Sequence, residues 1–143
     1  MQTFLPYPDI DLSLAVLDTM RAGKQRIEAR QILRTLSGES LGWKHHPAVK
    51  MWAGYENSLK SYYNASVKTW INRGYKNTMQ IEIILGEIRF PPWFGREDFH
   101  LAHRSNLMRK AHERLKKTGK EDLVLWYTKH FGLVPSDLPY QWQ

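Results

Sequence analysis

The chain lacks cysteine throughout its 143 residues, which excludes disulfides and thiolate metal sites. It has no apolar run close to the roughly 20 residues that a membrane-spanning helix needs. Its first residues lack the basic and then apolar pattern of a secretory signal. The phosphate-binding loop, the glycine pattern of dinucleotide-binding folds and the serine nucleophile elbow are missing too. These absences predict a cytoplasmic protein that does not associate with membranes.

Positive charge is the main feature of the composition. Lysine and arginine together number 21 against 14 acidic residues, so the net charge is +7. Such an excess on a small domain favours phosphate backbones or anionic lipid surfaces as partners. Six tryptophans and seven tyrosines accompany the basic residues. These rings either fill the core or stack on bases that have left a double helix.

Apolar residues recur at helical spacing along most of the chain, and no stretch alternates as a strand would. We predict an all-α fold in one compact domain that spans residues 1–143, with three main helices, short helices and an aromatic C-terminal tail. Asp9 or Asp11 can cap the first helix, and Gly23 weakens its middle by up to about 1 kcal/mol relative to alanine. The predicted helices cover residues 12–36 (one helix or two joined pieces), 47–72, 77–88, 96–117 and 121–130.

The sharpest chemical feature is a glutamate between arginines, Arg26-Ile27-Glu28-Ala29-Arg30. Arginines recur every four residues on this predicted helix and form a basic line, which Arg21 and Lys24 extend. One interpretation is a solvated helix face with local ion pairs. The other is a surface that grips DNA phosphates around one catalytic carboxylate, since a carboxylate that faces DNA opposes binding and needs a chemical reason to be there.

Two further clusters contain histidine. The predicted helix 96–117 carries His100, His103 and Arg104 on one face, and Asn106 follows them. Contacts to phosphates or bases, plain solvent exposure, and a metal site completed by Glu28 all fit this face. Lys44-His45-His46 precede the second helix, where they either meet an anion at its N-terminus or form an ordinary loop.

Several segments resemble one known family, the pyrimidine-dimer DNA glycosylases, which are the small phage-type endonuclease V enzymes. The resemblance lies in the Arg-x-Glu-x-Arg helix and in an Arg73-Gly74-Tyr75 stop after the second helix. A bacterial and phage branch of that family is similar over three more segments: His46-Pro-Ala-Val-Lys-Met-Trp52, His103-Arg-Ser-Asn-Leu107 and Asp137-Leu-Pro-Tyr-x-Trp142.

This resemblance implies a DNA glycosylase with AP-lyase activity, whose nucleophile is the α-amine of the chain. An α-amine is neutral far more often at pH 7 than a lysine amine. Glu28 would then stabilise the cationic sugar and imine and move protons. Because Gln2 is bulky, we expect Met1 to be retained and to carry the amine, with Gln2 as the carrier if Met1 is removed and Lys24 as a second candidate for the imine.

The implied partner is double-stranded DNA with a damaged or modified base, bound by a monomer without a metal or an organic cofactor. The predicted DNA contacts are Arg21, Lys24, Arg26, Arg30, His46, His103, Arg104 and Asn106. Two other functions fit the same residues: a non-catalytic DNA-binding module that uses the basic face, and a metal-dependent nuclease that uses His100, His103 and a carboxylate. The base could be part of a pyrimidine dimer, another damaged pyrimidine or an enzymatically modified base.

Overall fold

The computed structural model describes residues 1–142 as six helices, with no β-strand among those residues. The long helices are α2 (Thr19–Leu36), α4 (Glu56–Asn72) and α5 (Glu97–Thr118), and the short ones are α1 (Ile10–Ala15), α3 (Pro47–Lys50) and α6 (Asp122–Phe131). The prediction of an all-α fold with three main helices is confirmed. Within the same residues, no helix is both long and apolar enough to cross a membrane.

The first predicted helix is divided into α1 and α2, one of the two arrangements expected. Asp9 caps α1 by accepting a 2.8 Å hydrogen bond from the Leu12 N–H, and Asp18 caps α2 by accepting one of 3.3 Å from the Arg21 N–H. Asp18 also accepts a hydrogen bond from the hydroxyl of Tyr127 on α6. The second cap is therefore fixed by a distant element, and the chain begins a new helix there.

The prediction of one continuous helix over residues 47–72 is wrong in its first part. A helix begins where expected, but α3 ends after about one turn and α4 begins only at residue 56. Gly54 lies between them with φ of +86°, a left-handed conformation that ends helices and that glycine adopts readily. The turn accompanies a buried contact, because the Trp52 indole donates a 3.0 Å hydrogen bond to the Thr3 hydroxyl.

The helix predicted for residues 77–88 is also wrong, because this segment has no regular secondary structure and lies along α4. The side chain of Asn64 exchanges two hydrogen bonds, of 2.9 and 2.8 Å, with the backbone of Glu82. The hydroxyl of Tyr63 donates to the carbonyl of Gln80 at 2.6 Å. Four isoleucines in this segment favour extended backbone, and side chains of α4 provide the hydrogen bonds that a helix would have made internally.

The helices pack in two groups. In the first group α2 packs against α3 and α4, and α1 packs against α4, whereas α5 packs against α6 in the second. Residues 2–5 are at most 7% exposed and contact both groups. Trp52 and Trp93 join the groups as well, through an edge-to-face contact with 4.9 Å between ring centroids. The N-terminal segment is thus part of the core.

Gly23 lies in the interior of α2 because the indole of Trp70 on α4 packs directly over it. A Cβ atom at this position would come within 2.9 Å of Trp70 Cζ3. The ring cannot move aside easily, since it stacks on Tyr75 with 4.3 Å between centroids, and its Nε1 donates to the carbonyl of Lys76 at 3.0 Å. Close approach of the two helices therefore outweighs the weak helix propensity of glycine.

Gly23→Ala should lower the free energy of unfolding by about 1 kcal/mol, because overpacking costs about 1–3 kcal/mol and the gain in helix propensity returns about 1 kcal/mol. Denaturant unfolding measures the difference. In a Trp70→Leu background the same substitution should be neutral or stabilising, since the clashing ring is gone. An equal loss in both backgrounds would show that the indole is not the cause.

Candidate active site

The buried N-terminal segment is held by side chains of three helices. The Phe4 N–H donates to Gln25 Oε1 on α2 at 2.9 Å, and the Phe4 carbonyl accepts from the Tyr62 hydroxyl on α4 at 2.9 Å. The carbonyl of Pro6 accepts a 2.6 Å hydrogen bond from Arg104 on α5. Because donors and acceptors alternate along the segment, a shift by one residue would break these bonds, which fixes the position of Met1.

The backbone of Leu5 is hydrogen-bonded by two buried histidines of α5. Its N–H donates to His103 Nδ1 at 2.9 Å, and its carbonyl accepts from His100 Nδ1 at 2.7 Å. His103 therefore carries its proton on Nε2, which faces the side-chain amide of Gln2 at 3.2 Å. Burial lowers the pKa of His103 to about 3 and also lowers the pKa of His100. Both rings are neutral at pH 7, so His100 donates to the Leu5 carbonyl and His103 accepts from the Leu5 N–H.

The N-terminal segment leads into a cavity of about 380 Å³ that Met1 and Glu28 both line. Residues from the N-terminal segment, α2, α5 and the C-terminal tail complete its wall. The other lining residues are Gln2, Phe4, Arg21, Lys24, Gln25, His46, Lys110, Tyr140 and Trp142. The structure therefore brings the two residues that were predicted to be catalytic to one cavity, although they are far apart in the sequence.

His46 lines the same cavity, and the charges of the N-terminal amine and of Glu28 both act on its ring. Burial and then the N-terminal amine lower the pKa of His46, while Glu28 acts in the opposite direction. His46 Nδ1 accepts the N–H of Ala48 at 3.0 Å and so caps α3, which leaves the proton of the neutral ring on Nε2. The cavity thus combines an amine, a carboxylate and a neutral imidazole.

Gln25 connects the N-terminal segment to Glu28. Its Nε2 donates to Glu28 Oε2 at 3.2 Å, while its Oε1 accepts from the Phe4 N–H and from the Tyr62 hydroxyl at 2.6 Å. Burial raises the pKa of Tyr62 well above its ordinary value, and the charge of Glu28 adds to this effect. The buried amide is therefore oriented from both ends. Sequence reasoning missed this residue, since a lone glutamine carries no motif.

The arginines beside Glu28 in sequence lie on another face of α2. Helical geometry places residues two positions apart roughly 160° from each other, so Arg26 and Arg30 point away from Glu28. Lys24 and Gln25 share the face of Glu28, and both line the cavity. The expected picture of a carboxylate set within the basic line is therefore wrong, because the line and the carboxylate are on different sides of the helix.

Arg26 is largely engaged within the protein. Its guanidinium lies 4.6 Å from the centroid of Trp70, and its Nη1 donates to Asn77 Oδ1 at 2.7 Å. Burial lowers its pKa somewhat. Arg30 is exposed and close to the Tyr63 hydroxyl; burial raises the pKa of Tyr63, and the charge of Arg30 offsets part of that increase. Of the two, only Arg30 presents an exposed side chain for a phosphate contact.

Three other predicted DNA contacts have roles inside the protein. His103 and Asn106 are fully buried, which removes them from the surface that DNA could touch. Arg104 binds the carbonyl of Pro6 and the carboxylate of Glu97, and its side chain is only 11% exposed. These residues were misread because α5 has polar side chains on the face that holds the N-terminal segment.

Arg21 lines the cavity and also pairs with Asp18 at 3.0 Å. Its pKa is raised by Asp18, which outweighs the effect of burial. The metal-dependent nuclease considered above would need His100 and His103 as ligands. Neither is available, because both nitrogens of each ring face hydrogen-bond partners. Across residues 1–142, no group of three potential metal ligands occurs.

The C-terminal tail supplies an aromatic wall of the cavity. Arg109 donates to the carbonyl of Leu138 at 2.9 Å, and the Leu138 N–H donates to Ser105 Oγ at 3.1 Å. These bonds carry Tyr140 and Trp142 to the cavity, where their rings stack with 5.3 Å between centroids. The Asp-Leu-Pro-Tyr-x-Trp ending was noticed in the sequence, but nothing in it predicted this position.

The first part of the chain matches a known protein family. Residues 1–83 match the family model described as pyrimidine dimer DNA glycosylase. This range includes the N-terminal segment, α2, α3 and α4, and therefore Met1, Gln25, Glu28 and His46. No curated protein and no solved structure matches the chain.

Burial of His103 predicts that the fold loses stability at mildly acidic pH. Its pKa is about 3 in the folded chain against an ordinary value of 6.5, so between these values only the unfolded chain takes up the proton. The free energy of unfolding should therefore fall as the pH decreases below about 6.5, by up to about 1.4 kcal/mol per pH unit. Denaturant unfolding between about pH 7.5 and 5 measures this slope. His112→Gln changes an exposed histidine and should keep this slope, whereas His103→Gln should make it shallower and leave the part that His100 contributes. If the free energy of unfolding of the wild type does not change over this pH range, the lowered pKa of His103 is contradicted.

Proposed function

The chain belongs to the pyrimidine dimer DNA glycosylase family, and we propose that it excises a damaged or modified pyrimidine from double-stranded DNA and then cuts the strand as an AP lyase. The observation that carries this proposal is the shared cavity of Met1 and Glu28. An amine and a carboxylate in one cavity are the two groups that imine chemistry at a sugar needs. A volume of about 380 Å³ accommodates a small ligand such as a sugar with its base.

In the proposed reaction the Met1 amine attacks C1′ of the damaged nucleotide. The bond between C1′ and the base breaks, and the base leaves with the electron pair and takes up a proton. The nitrogen loses its proton, the sugar ring opens and an imine forms. C2′ then loses a proton and the bond between C3′ and oxygen breaks, which cuts the strand on the 3′ side, and water finally hydrolyses the imine.

Glu28 would stabilise the cationic sugar and carry protons in this sequence. The carboxylate is fixed by Gln25, which also fixes Phe4, so amine and carboxylate share one support. Met1 and Gln2 both line the cavity, and the side chain of Gln2 also contacts His103. We propose Met1 as the carrier of the reactive amine because the bulk of Gln2 favours retention of Met1. No residue in the scheme requires a metal or an organic cofactor.

DNA binding would rest on the cations around the cavity. Lys24 and Lys110 line the cavity, and Arg30 is exposed on the opposite side of α2. We propose that these three contact phosphates, with the protein acting as a monomer. A duplex base must leave its stack to enter the cavity, and an extruded base could lie against the aromatic wall of the tail.

Borohydride should trap a covalent adduct between the protein and DNA that contains an abasic site, and digestion should locate it on Met1.

Glu28→Gln should reduce incision by roughly 10²–10³-fold while DNA binding is kept or tightened, because the carboxylate serves the reaction and opposes the phosphates. Lys24→Ala tests the second candidate for the imine: it should weaken DNA binding but still form the adduct on Met1. An adduct on Lys24 would overturn the α-amine mechanism. Binding without any adduct or incision would instead favour a non-catalytic DNA-binding module.

Gln25→Glu should separate positioning from folding. A glutamate keeps the oxygen that accepts from Phe4 and Tyr62, but it puts a second carboxyl in place of the amide that donates to Glu28. Because two adjacent carboxyls compete for one proton, the acid limb of the pH profile of incision should move to higher pH. Lower activity with an unshifted profile would mean that Gln25 has only a structural role.

A further inference from the structure

The loop between α2 and α3, residues 37–46, presents two apolar side chains to solvent. Leu41 is 80% exposed and Trp43 is 57% exposed. Trp43 also has φ of +66°, and within residues 1–142 it is the one non-glycine residue with positive φ. A bulky side chain in this conformation is strained, and such strain is concentrated at functional sites. Neither the exposure nor the backbone conformation of Trp43 stabilises the fold, so both features point to a ligand that binds this side chain.

The loop is built to hold Trp43 in place. The Thr35 hydroxyl donates to the Gly42 carbonyl at 2.9 Å, the Ser40 N–H donates to the Arg34 carbonyl at 3.1 Å, and the His46 N–H donates to the Trp43 carbonyl at 2.9 Å. Gln31 on α2 adds a hydrogen bond to the Ser40 hydroxyl. The indole is therefore presented from a loop that both neighbouring helices fix.

Trp43 stands next to the candidate active site. Its ring meets the ring of His46 edge to face with 5.7 Å between centroids, and the opposite neighbour of His46 is Trp142, at 5.8 Å. His46 and Trp142 line the cavity of Met1 and Glu28, so the exposed indole lies at its rim. A nucleotide drawn into the cavity would leave an empty place in the duplex beside this ring.

The charge around the loop indicates which ligand would cover it. Lys44 is exposed on the same loop, Lys50 is exposed at the end of α3, and the chain as a whole carries a net charge of +7. Apolar side chains bordered by cations suit a polyanion whose interior is apolar, and a DNA duplex opened at one base pair has this character. A protein partner with an apolar surface would not need the cations.

On the basis of the proposed glycosylase function, we infer that Trp43 is a wedge that enters duplex DNA at the damaged site. The indole takes the stacking place of the extruded nucleotide, and Leu41 packs beside it against the neighbouring bases. Lys44 meets the adjacent phosphate. Extrusion of a base costs stacking and pairing energy, and an inserted aromatic ring offsets part of that cost. Trp43 is thus a positioning residue that prepares the DNA, and it takes no part in the covalent steps.

The test compares duplex and single-stranded DNA that carry the same abasic site. Trp43→Gly should lower adduct formation on the duplex by about tenfold or more, and change it less than about threefold on the single strand, where the abasic sugar need not be turned out of a helix. Leu133→Ala removes a fully exposed apolar side chain outside the cavity and should leave both substrates unaffected. Equal losses on the two substrates, or no loss on either, would overturn the wedge.

Two further readouts distinguish a wedge from a purely structural indole. Glycine accepts positive φ without strain, so Trp43→Gly should keep or raise the thermal midpoint, and a clear decrease would show that the indole is structural. In a Glu28→Gln background, the fluorescence of 2-aminopurine placed opposite the abasic site should increase when the protein with Trp43 binds the duplex. The same protein with Trp43→Gly should bind without this increase. This signal needs no catalysis. If the wild type forms no adduct even on the single strand, the proposed function fails, whereas the fluorescence result still decides on the wedge.

Discussion

The insertion of residues 2–6 between two groups of helices is the constraint on which the rest of the structure depends. These residues form neither helix nor strand, yet they are buried, so their backbone polar groups must find partners among side chains. Gln25 and Tyr62 serve Phe4, while His100 and His103 serve Leu5. The segment is thereby fixed in register, and the first residue of the chain is carried to the cavity.

The helix α2 serves two purposes through its two sides. One side packs against α4, where Gly23 lets the indole of Trp70 approach and Arg26 covers the same ring. The other side faces the cavity with Gln25 and Glu28. Because the packed side fixes the rotation of the helix about its axis, it also sets where the carboxylate points. Stability and the geometry of the site thus depend on the same contacts.

The cavity is completed by parts of the chain that lie far apart in sequence. The tail, tethered to α5 through Leu138, brings Tyr140 and Trp142 beside His46, which caps α3. The loop that carries Trp43 ends at the same histidine. His46 therefore contacts Trp43 and Trp142 and lines the same cavity as Met1 and Glu28.

Local patterns were enough to predict the all-α fold, the three long helices and a cap at Asp9 or Asp11, because caps and periodicity act within a few residues. Tertiary structure alone decided the rest. Residues 77–88 form no helix because side chains of α4 satisfy their backbone, and His103 is buried because it holds the N-terminal segment. The Glu28 side of α2 faces the cavity because packing against α4 fixes the rotation of the helix. The physical reason is common to all three: burial and hydrogen bonding between distant segments outweigh local preferences, and a sequence does not state which distant segments meet.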